Sequence, residues 1–276
     1  MEIKTLDGVS VAVIASTFNE AFSDYKIKFT VTEESFRKKF EAEAIKPEGS
    51  VGAFDNGRLV GFILHGMDEI DGQKQIFNAG TGVIPQYRGQ GLTEKMYKYI
   101  VPLLAERGYR HHQLEVLHDN LTAKRIYERM GFKDVRMVAS FMGRAPAVNI
   151  PGVTVTEVDA IDWAEAETFR TVEPTWQNNT RCLLRSMDRN RLFAGYLDGE
   201  FAGYAAFDTL SGRLKQFAVK PELRRRGVGR ALFGEAGKHG DINIVNYDLS
   251  DTDSIVFFKA LGLNQDFELY EMKMQY

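Results

Sequence analysis

Cysteine is nearly absent from this sequence, since Cys182 is the single one in the chain. One cysteine cannot form an intrachain disulfide, and it excludes a metal site built from a cluster of cysteines. The five histidines are scattered and show neither His-x-x-x-His nor His/Cys spacing. The sequence therefore predicts no metal site.

Excess basic charge and long apolar runs are also missing. The formal net charge is -3, so the composition gives no reason to expect a nucleic-acid partner, although arginines cluster between positions 224 and 230. The apolar runs fall far short of the ~20 residues that a membrane helix requires. The first residues lack the basic and then apolar pattern of a secretory signal. We expect a cytoplasmic protein with no membrane association.

The chain contains an internal duplication, and its 276 residues leave room for two domains. Asn-Gly at 56–57 and Asp-Gly at 198–199 each lie between two apolar runs, as in a hairpin turn. The pattern Val-x-Pro-x-x-Arg-x-x-Gly occupies 83–91 and again 219–227. An aromatic residue precedes glycine by four positions at 127–131 and again at 258–262. The common order predicts two copies of one domain, 1–145 and 152–276, joined by a proline-containing linker within 144–152.

The hydrophobic pattern of each copy predicts an antiparallel meander followed by strand, helix, strand, helix and strand. In the first copy we expect helices at about 8–23, 32–43, 91–107 and 121–130, and strands at about 50–55, 59–66, 74–84, 112–117 and 133–142. The second copy repeats this order with a shorter central helix, at about 229–238. The order is typical of an α/β protein of the α+β type, with a mixed, mostly antiparallel sheet flanked by helices.

A glycine-rich turn ends the long strand of the first copy and opens the next helix. Gly89 and Gly91 allow the backbone to approach a ligand closely. A helix start offers unpaired N–H groups and the positive end of its dipole, which together bind phosphate. Arg88 adds a permanent positive charge. The Gly-Lys-Ser/Thr ending of a P-loop and the third glycine of a dinucleotide fingerprint are both missing, so these two motifs are rejected.

The turn resembles motif A of the GCN5-related N-acetyltransferase (GNAT) superfamily, Arg/Gln-x-x-Gly-x-Gly/Ala. The second copy matches it fully, whereas the first has Thr93 in the last place, where it would crowd the diphosphate or donate a hydrogen bond to it. The resemblance implies two GNAT-like domains in tandem that bind acetyl-CoA, the loop holding the diphosphate and the preceding strand pairing with the pantetheine amides. The implied coenzyme-binding residues are Val83, Arg88, Gly89, Gln90, Gly91, Leu92, Thr93, Asn120, Val219, Arg224, Arg225, Arg226, Gly227, Val228 and Gly229.

Acetyl transfer from a thioester to an amine requires a base for the amine proton, donors for the developing oxyanion and an acid for the leaving thiolate. The segment 114–132 is similar to the Leu-Glu-Val…Asn-x-x-Ala-x-x-x-Tyr-x-x-x-Gly-Phe block of the superfamily, of which the ribosomal-protein N-terminal acetyltransferases carry a close version. The resemblance implies Glu115 as the general base and Tyr127 as the general acid. Ordered water could deprotonate the amine in place of Glu115, and Tyr127 could instead be a core tyrosine. Asn120 suits a helix N-cap whether or not it contacts the coenzyme.

The second copy has lost these groups. It carries Phe258 in place of the acid, Asn246 in place of the base and Asp251 in place of the capping asparagine. Phenylalanine has no proton to give and asparagine cannot act as a base. We therefore expect the chemistry in the first copy and a degenerate second copy that either binds acyl-CoA or is structural.

The sequence predicts an N-acetyltransferase for a primary amine of a small molecule or peptide, in a monomer or homodimer. Acidic residues at 68, 69 and 71 hint at a cationic acceptor, although charge in a loop is usually only solvated. A non-catalytic acyl-CoA sensor or scaffold is the alternative. A third interpretation, a regulator that binds nucleotide phosphates, has only the glycine-rich loops and the arginine cluster in its favour.

Overall fold

The computed structural model describes residues 1–24 and 30–276 and divides the chain into two units. Unit 1 comprises Met1–Val135 together with Glu271–Tyr276, and unit 2 comprises Arg136–Tyr270. The divisions between the units lie inside two strands and not in the predicted linker, and the domain bounds 1–145 and 152–276 stay a prediction. The proline and glycine that mark a linker are local signals, whereas the membership of a C-terminal strand depends on contacts distant in sequence.

Unit 1 is built around the strand order β1-β2-β3-β4-β5. Its strands are β1 (Glu2–Thr5), β2 (Val51–Asp55), β3 (Arg58–Ile70), β4 (Gln73–Val83) and β5 (His111–Leu117), and its helices are α1 (Val11–Ala21), α2 (Glu33–Ala42), α3 (Leu92–Glu106) and α4 (Leu121–Arg129). The first four strands pair antiparallel, and β5 is parallel to β4. The predicted order of elements is confirmed, and β1 is a strand that the sequence analysis missed.

Unit 2 has the strand order β6-β11-β10-β9-β8-β7. Its elements are β6 (Lys133–Gly143), β7 (Val153–Val158), α5 (Trp163–Glu167), α6 (Thr180–Leu184), β8 (Asn190–Leu197), β9 (Glu200–Asp208), β10 (Arg213–Val219), α7 (Val228–Gly237), β11 (Ile242–Asp248), α8 (Thr252–Ala260) and β12 (Asn264–Gln275). Part of β6 and part of β12 belong to unit 1. Strand β11 is parallel to β10, and the other pairings within the unit are antiparallel. The predicted α/β class, with mixed sheets and flanking helices, is confirmed.

The predicted hairpin turns form in both units. Asn56 and Gly57 have φ of 48° and 81°, and Asp198 and Gly199 have φ of 51° and 88°. Positive φ at both central residues defines the type I′ turn, whose twist matches that of the flanking strands. The Asn-Gly and Asp-Gly pairs therefore fix the register of β2 with β3 and of β8 with β9.

Helix α7 is shorter than α3, as predicted, and its glycines accommodate the linker. A Cβ on Gly237 would lie 2.3 Å from the carbonyl oxygen of Ala145, and one on Gly234 would lie 2.9 Å from that of Pro146. Only glycine permits such close approach of two backbones. Throughout the part of the chain that the structure describes, no helix is long and apolar enough to cross a membrane.

The C-terminal residues of unit 1 generate a testable prediction. Met272 is fully buried, so Met272→Ala should destabilise unit 1 by about 2–5 kcal/mol through the cavity it leaves. Amide hydrogen exchange resolved by unit measures this effect. Met142→Ala is the matched control, because Met142 is 47% exposed and should cost less than about 0.5 kcal/mol. Equal effects of the two substitutions would contradict the burial of the C-terminal strand.

Candidate functional sites

In each unit the two parallel strands separate after a short ladder and leave a cleft. The pairs between β4 and β5 run from Gln75 with His111 to Phe77 with Gln113, and β10 pairs with β11 at Arg213 with Asn243. Beyond these pairs, the β4 and β10 edges up to Val83 and Val219 lie outside the parallel ladder. Such an edge can pair with an extended ligand.

A β-bulge lies at the start of the cleft in both units. The register of β3 with β4 shifts so that Ala79 is the extra residue, and that of β9 with β10 shifts so that Lys215 is. Bulges bend a strand and increase its twist. The equivalent bulges thus account for the separation of each strand from its parallel neighbour.

The loop after each of these strands has the conformation that a phosphate site needs. Gly89 and Gly91 have φ of 76° and 68°, and Arg225 and Gly227, at the equivalent positions, have φ of 62° and 94°. Gly91 and Gly227 are the N-cap residues of α3 and α7. The unpaired N–H groups of each first helical turn therefore begin at the loop.

The first arginine of the motif in unit 1 stabilises the loop itself. Arg88 donates from Nε to the carbonyl oxygen of Val83 at 3.1 Å and from Nη2 to that of Ala21 at 2.7 Å. It also forms an ion pair with Asp24 at 2.7 Å. Arg88 thus ties the end of β4 to the end of α1, and its contact with a coenzyme stays a prediction.

The equivalent arginine of unit 2 makes the same backbone contacts. Arg224 donates from Nε to the carbonyl oxygen of Val219 at 3.0 Å and from Nη2 to that of Phe169 at 2.7 Å. The duplication is therefore preserved in hydrogen bonds as well as in sequence. It follows that Phe169 in unit 2 occupies the place of Ala21 in unit 1.

The two loops differ in charge. Unit 2 adds Arg225, Arg226 and Arg230 to the shared arginine, whereas unit 1 carries Glu94 in the place of Arg230. The ion pairs of Arg225 with Asp253 (3.2 Å) and of Arg226 with Asp198 (3.3 Å) are exposed. Exposed ion pairs contribute little free energy, so these guanidinium groups still attract phosphate. The loop of unit 2 is the stronger electrostatic site for an anion.

A cavity of about 810 Å³ lies beside the loop of unit 2. Its wall includes β10 and β11 residues, the loop 224–230 and the first turn of α8. The volume is within the usual range of small-molecule sites, ~300–1,000 Å³. The segment 169–174 also lines the cavity.

Tyr247 in this cavity is a residue that the sequence analysis missed. Its hydroxyl donates to Asp251 Oδ2 at 2.6 Å, and its ring packs edge-on against Phe258 with centroids 4.9 Å apart. Burial, and then the bond to Asp251, raise the pKa of Tyr247 far above its usual value. A phenol that holds its proton this firmly is a poor general acid. In this arrangement the hydroxyl proton of Tyr247 is held in the hydrogen bond to Asp251.

The predicted catalytic residues of unit 1 lie on β5 and α4. Glu115 is half-buried on β5, and Tyr127 on α4 is buried, with its ring edge-on to those of Tyr97 (6.1 Å) and Phe132 (5.9 Å). Asn120 Oδ1 accepts from the backbone N–H of Ala123 at 3.2 Å, which confirms its helix-cap role. The roles of Glu115 and Tyr127 as base and acid stay predictions.

Comparison with known proteins identifies the family. The model of the acetyltransferase (GNAT) family matches residues 14–132, and the GNAT domain model matches residues 188–263. Together they match more than half of the chain, which belongs to the GNAT acetyltransferase family with its GNAT domains in tandem.

Two curated relatives match one stretch each. N-alpha-acetyltransferase 30 of Schizosaccharomyces pombe is 33% identical over 87 residues, or 31% of this chain, and the spermine/spermidine N(1)-acetyltransferase of Bacillus subtilis is 32% identical over 88 residues, or 30% of it. The chain spans 58% of the length of each relative.

Solved structures share the fold over the whole chain. A tandem GNAT protein from the clavulanic acid biosynthesis pathway has a TM-score of 0.73 at 13% identity, covering 99% of this chain and 98% of its own. A GCN5-related N-acetyltransferase from Sphaerobacter thermophilus has a TM-score of 0.73 at 16% identity, covering 99% and 95%.

The loop glycines predict different substitution costs in the two units. Gly91→Ala and Gly227→Ala both force alanine into positive φ, which should lower the free energy of unfolding by roughly 1 kcal/mol. A Cβ on Gly227 would also lie 2.6 Å from Cδ1 of Ile150, whereas no atom in residues 1–24 or 30–276 lies within 4 Å of one on Gly91. Denaturant unfolding should show the larger loss of unfolding free energy for Gly227→Ala. In a double-mutant cycle, adding Ile150→Ala should reduce the additional loss caused by Gly227→Ala, because the clashing side chain is then shortened. Strictly additive effects of the two substitutions would refute the contact.

Proposed function

We propose that the chain transfers the acetyl group of acetyl-CoA to a primary amine of a small molecule or peptide. The observation that carries this proposal is the repeated cleft, in which a strand edge leads to a left-handed loop at a helix N-terminus. The transfer belongs to the N-terminal domain (residues 1–145), and the C-terminal domain (residues 152–276) binds acyl-CoA without turnover.

The residues of both clefts fit a coenzyme A ligand. No atom of the described residues lies within 4 Å of a Cβ added at Gly89 or Gly91, so this part of the unit 1 loop leaves room for a diphosphate. In unit 2 the arginines of the loop face an 810 Å³ cavity that suits the pantetheine arm. Val83 and Val219 end the strand edges that would pair with the pantetheine amides. Acetyl-CoA, when bound, supplies a thioester with an activated acyl group.

The residues proposed for proton transfer, Glu115 and Tyr127, lie on β5 and α4 of unit 1. Glu115 takes the proton of the amine, directly or through ordered water, and Tyr127 protonates the leaving sulfur. Both sit on elements that border the cleft, since β5 forms one wall and α4 follows it. Support for unit 1 also comes from unit 2, where Phe258 is fully buried and Tyr247 is bonded to Asp251.

The names of the relatives support an amine acceptor. One is an N-alpha-acetyltransferase and another acts on spermine or spermidine, which are cationic amines. Asp68 and Glu69 lie near the end of β3, and Asp71 follows it in the turn to β4. A cationic amine would be attracted to this acidic turn.

A non-catalytic acyl-CoA sensor is the second candidate function. The specific observation in its favour is that the large cavity and the arginine-rich loop belong to the unit without an acid. Binding of acetyl-CoA without turnover on any amine would favour this function over acetyl transfer.

Tyr127→Phe tests the proposed acid. We expect kcat to fall by roughly 10²-fold, because the thiolate then leaves without a proton donor, while the Kd for acetyl-CoA changes little. Steady-state kinetics on a polyamine and peptide panel, with calorimetry for binding, separates the two quantities. Tyr99→Phe is the matched control, since Tyr99 is 38% exposed on α3. An unchanged kcat in Tyr127→Phe would assign the tyrosine to the core.

Calorimetry with acetyl-CoA tests the two binding sites. Gly91→Glu should remove the binding event of unit 1, because it places a bulky anion at the helix start. In that background Arg230→Glu should weaken the remaining event on the order of tenfold, and added salt should weaken it further. Arg191→Glu, the same charge change on a residue outside the cavity wall, is the control. Wild-type protein that binds no acetyl-CoA would refute the proposal.

A further inference from the structure

A buried amide bridges the bulge of β4 in unit 1. Asn78 is buried and directly precedes the extra residue, Ala79. Its Oδ1 accepts from the backbone N–H of Gly80 at 3.0 Å, and its Nδ2 donates to Thr81 Oγ1 at 2.8 Å. The side chain therefore joins the strand before the bulge to the strand after it.

The same amide bonds a tyrosine on α3. Asn78 Nδ2 also donates to the hydroxyl oxygen of Tyr97 at 2.7 Å, and Tyr97 is fully buried. Burial is the largest cause that raises the pKa of Tyr97 well above its usual value, and the charge interaction with Tyr127 is the second. Tyr97 is therefore a neutral phenol that accepts a hydrogen bond, and a phenol that holds its proton this firmly is a poor acid.

The ring of Tyr97 extends from the bulge to the proposed acid. It packs edge-on against Tyr127 of α4, with centroids 6.1 Å apart, and against Phe132, with centroids 5.8 Å apart. The rings of Tyr127 and Phe132 are also edge-on, at 5.9 Å. Edge-to-face pairs in this range are favourable, so each of the three rings restricts the position of the other two.

This ring contact connects two elements that the sheet does not hold together. The ladder between β4 and β5 runs only as far as the pair of Phe77 with Gln113, and α4 follows β5. Beyond that pair, the position of α4 relative to the bulged strand depends on side chains. Asn78 and Tyr97 provide such a connection, because the first is bonded to the bulge and the second packs against Tyr127.

Unit 2 shows that the fold does not require this network. The bulge is present in both units. Counted from the motif valines, the N-cap glycines and the glycines after the last helix, unit 2 has apolar residues where unit 1 has polar ones: Leu214 for Asn78, Phe217 for Thr81, Phe233 for Tyr97 and Phe258 for Tyr127. The three phenylalanine rings pack together, with centroids 4.9 to 5.9 Å apart. The polar network thus occurs in the unit that carries the proposed acid.

We propose that Asn78 and Tyr97 are positioning residues that fix Tyr127 against the bulge of β4. Their effect on acetyl transfer rests on the proposed function of Tyr127 as the acid. A general acid acts within hydrogen-bond reach of the atom that it protonates, ~2.6–3.2 Å, and a misplacement of about 1 Å costs up to ~10²-fold in rate. Neither Asn78 nor Tyr97 transfers a proton, and together they set where the Tyr127 hydroxyl lies.

Tyr97→Phe tests the proposal, because it removes the hydroxyl and keeps the ring, as in unit 2. With acetyl-CoA and the polyamine and peptide panel, we expect kcat to fall on the order of tenfold, while the Kd for acetyl-CoA changes little. Tyr99→Phe, the same change at an exposed position of α3, should alter neither quantity. In a Tyr127→Phe background, Tyr97→Phe should not lower kcat further, because the group that it positions is gone. An equal fall in both backgrounds would overturn the proposal.

Two further variants separate positioning from stability. Asn78→Leu removes one donor from the buried Tyr97 hydroxyl, so it should lower Tm on the order of 5 °C. Asn78→Leu combined with Tyr97→Phe copies unit 2 and should recover part of that loss, while kcat stays on the order of tenfold below that of the wild type. Recovery of kcat together with stability would show that the network is only structural.

Fluorine NMR provides a readout that needs no amine. In protein labelled with 3-fluorotyrosine, the signal of Tyr127 is identified by its loss in Tyr127→Phe. Tyr97→Phe and Asn78→Leu should shift this signal, and Tyr99→Phe should not. An unshifted signal overturns the proposal even in an active protein. A shifted signal without acetylation of any amine in the panel supports the positioning of Tyr127 and counts against the proposed function instead.

Discussion

The extra residue in β4 and in β10 bends each strand away from its parallel neighbour, and the rest of each candidate site depends on that separation. Continuous pairing of β4 with β5, or of β10 with β11, would close the sheet and leave no room for a ligand. Because the strands part, one strand edge is left to meet an extended ligand, and it leads directly to a helix N-terminus. The arginine of the motif then holds the loop against the end of the strand. Arg88 donates to the carbonyl oxygens of Val83 and Ala21. Arg224 donates in the same way to those of Val219 and Phe169.

On this shared scaffold the two units carry different chemistry. The backbone requirements are kept, as the left-handed Gly91 and Gly227 show. The side chains that would face a ligand differ between the units. Unit 2 carries additional arginines in its loop, and it has Phe258 on α8 where unit 1 has Tyr127 on α4. Gain of anion affinity without an acid favours retention of an acyl-CoA over its turnover, which is the division of roles that we propose.

The features that the sequence predicted are those set by neighbouring residues. The hairpin turns follow from Asn-Gly and Asp-Gly, and the cap of α4 follows from Asn120. The features that it missed depend on distant contacts. Nothing local indicates that Met272 is part of the core of unit 1, or that Lys215 occupies a bulge. Tyr247 was missed because its aligned partner, Val116, is an ordinary core residue, and the bond to Asp251 appears only after the strand and helix have packed.

The linker contributes a residue to the wall of the unit 2 cavity. Ile150 lines the unit 2 cavity and packs against Gly227, and the glycines of α7 admit the linker backbone behind it. A tandem duplication thus does more than repeat a domain, because the segment that joins the copies covers the helix start of the second. In the described part of unit 1, no such contact lies within 4 Å of an added Cβ on Gly91. Ile150 and the linker would therefore form part of the acyl-CoA site that we propose for unit 2.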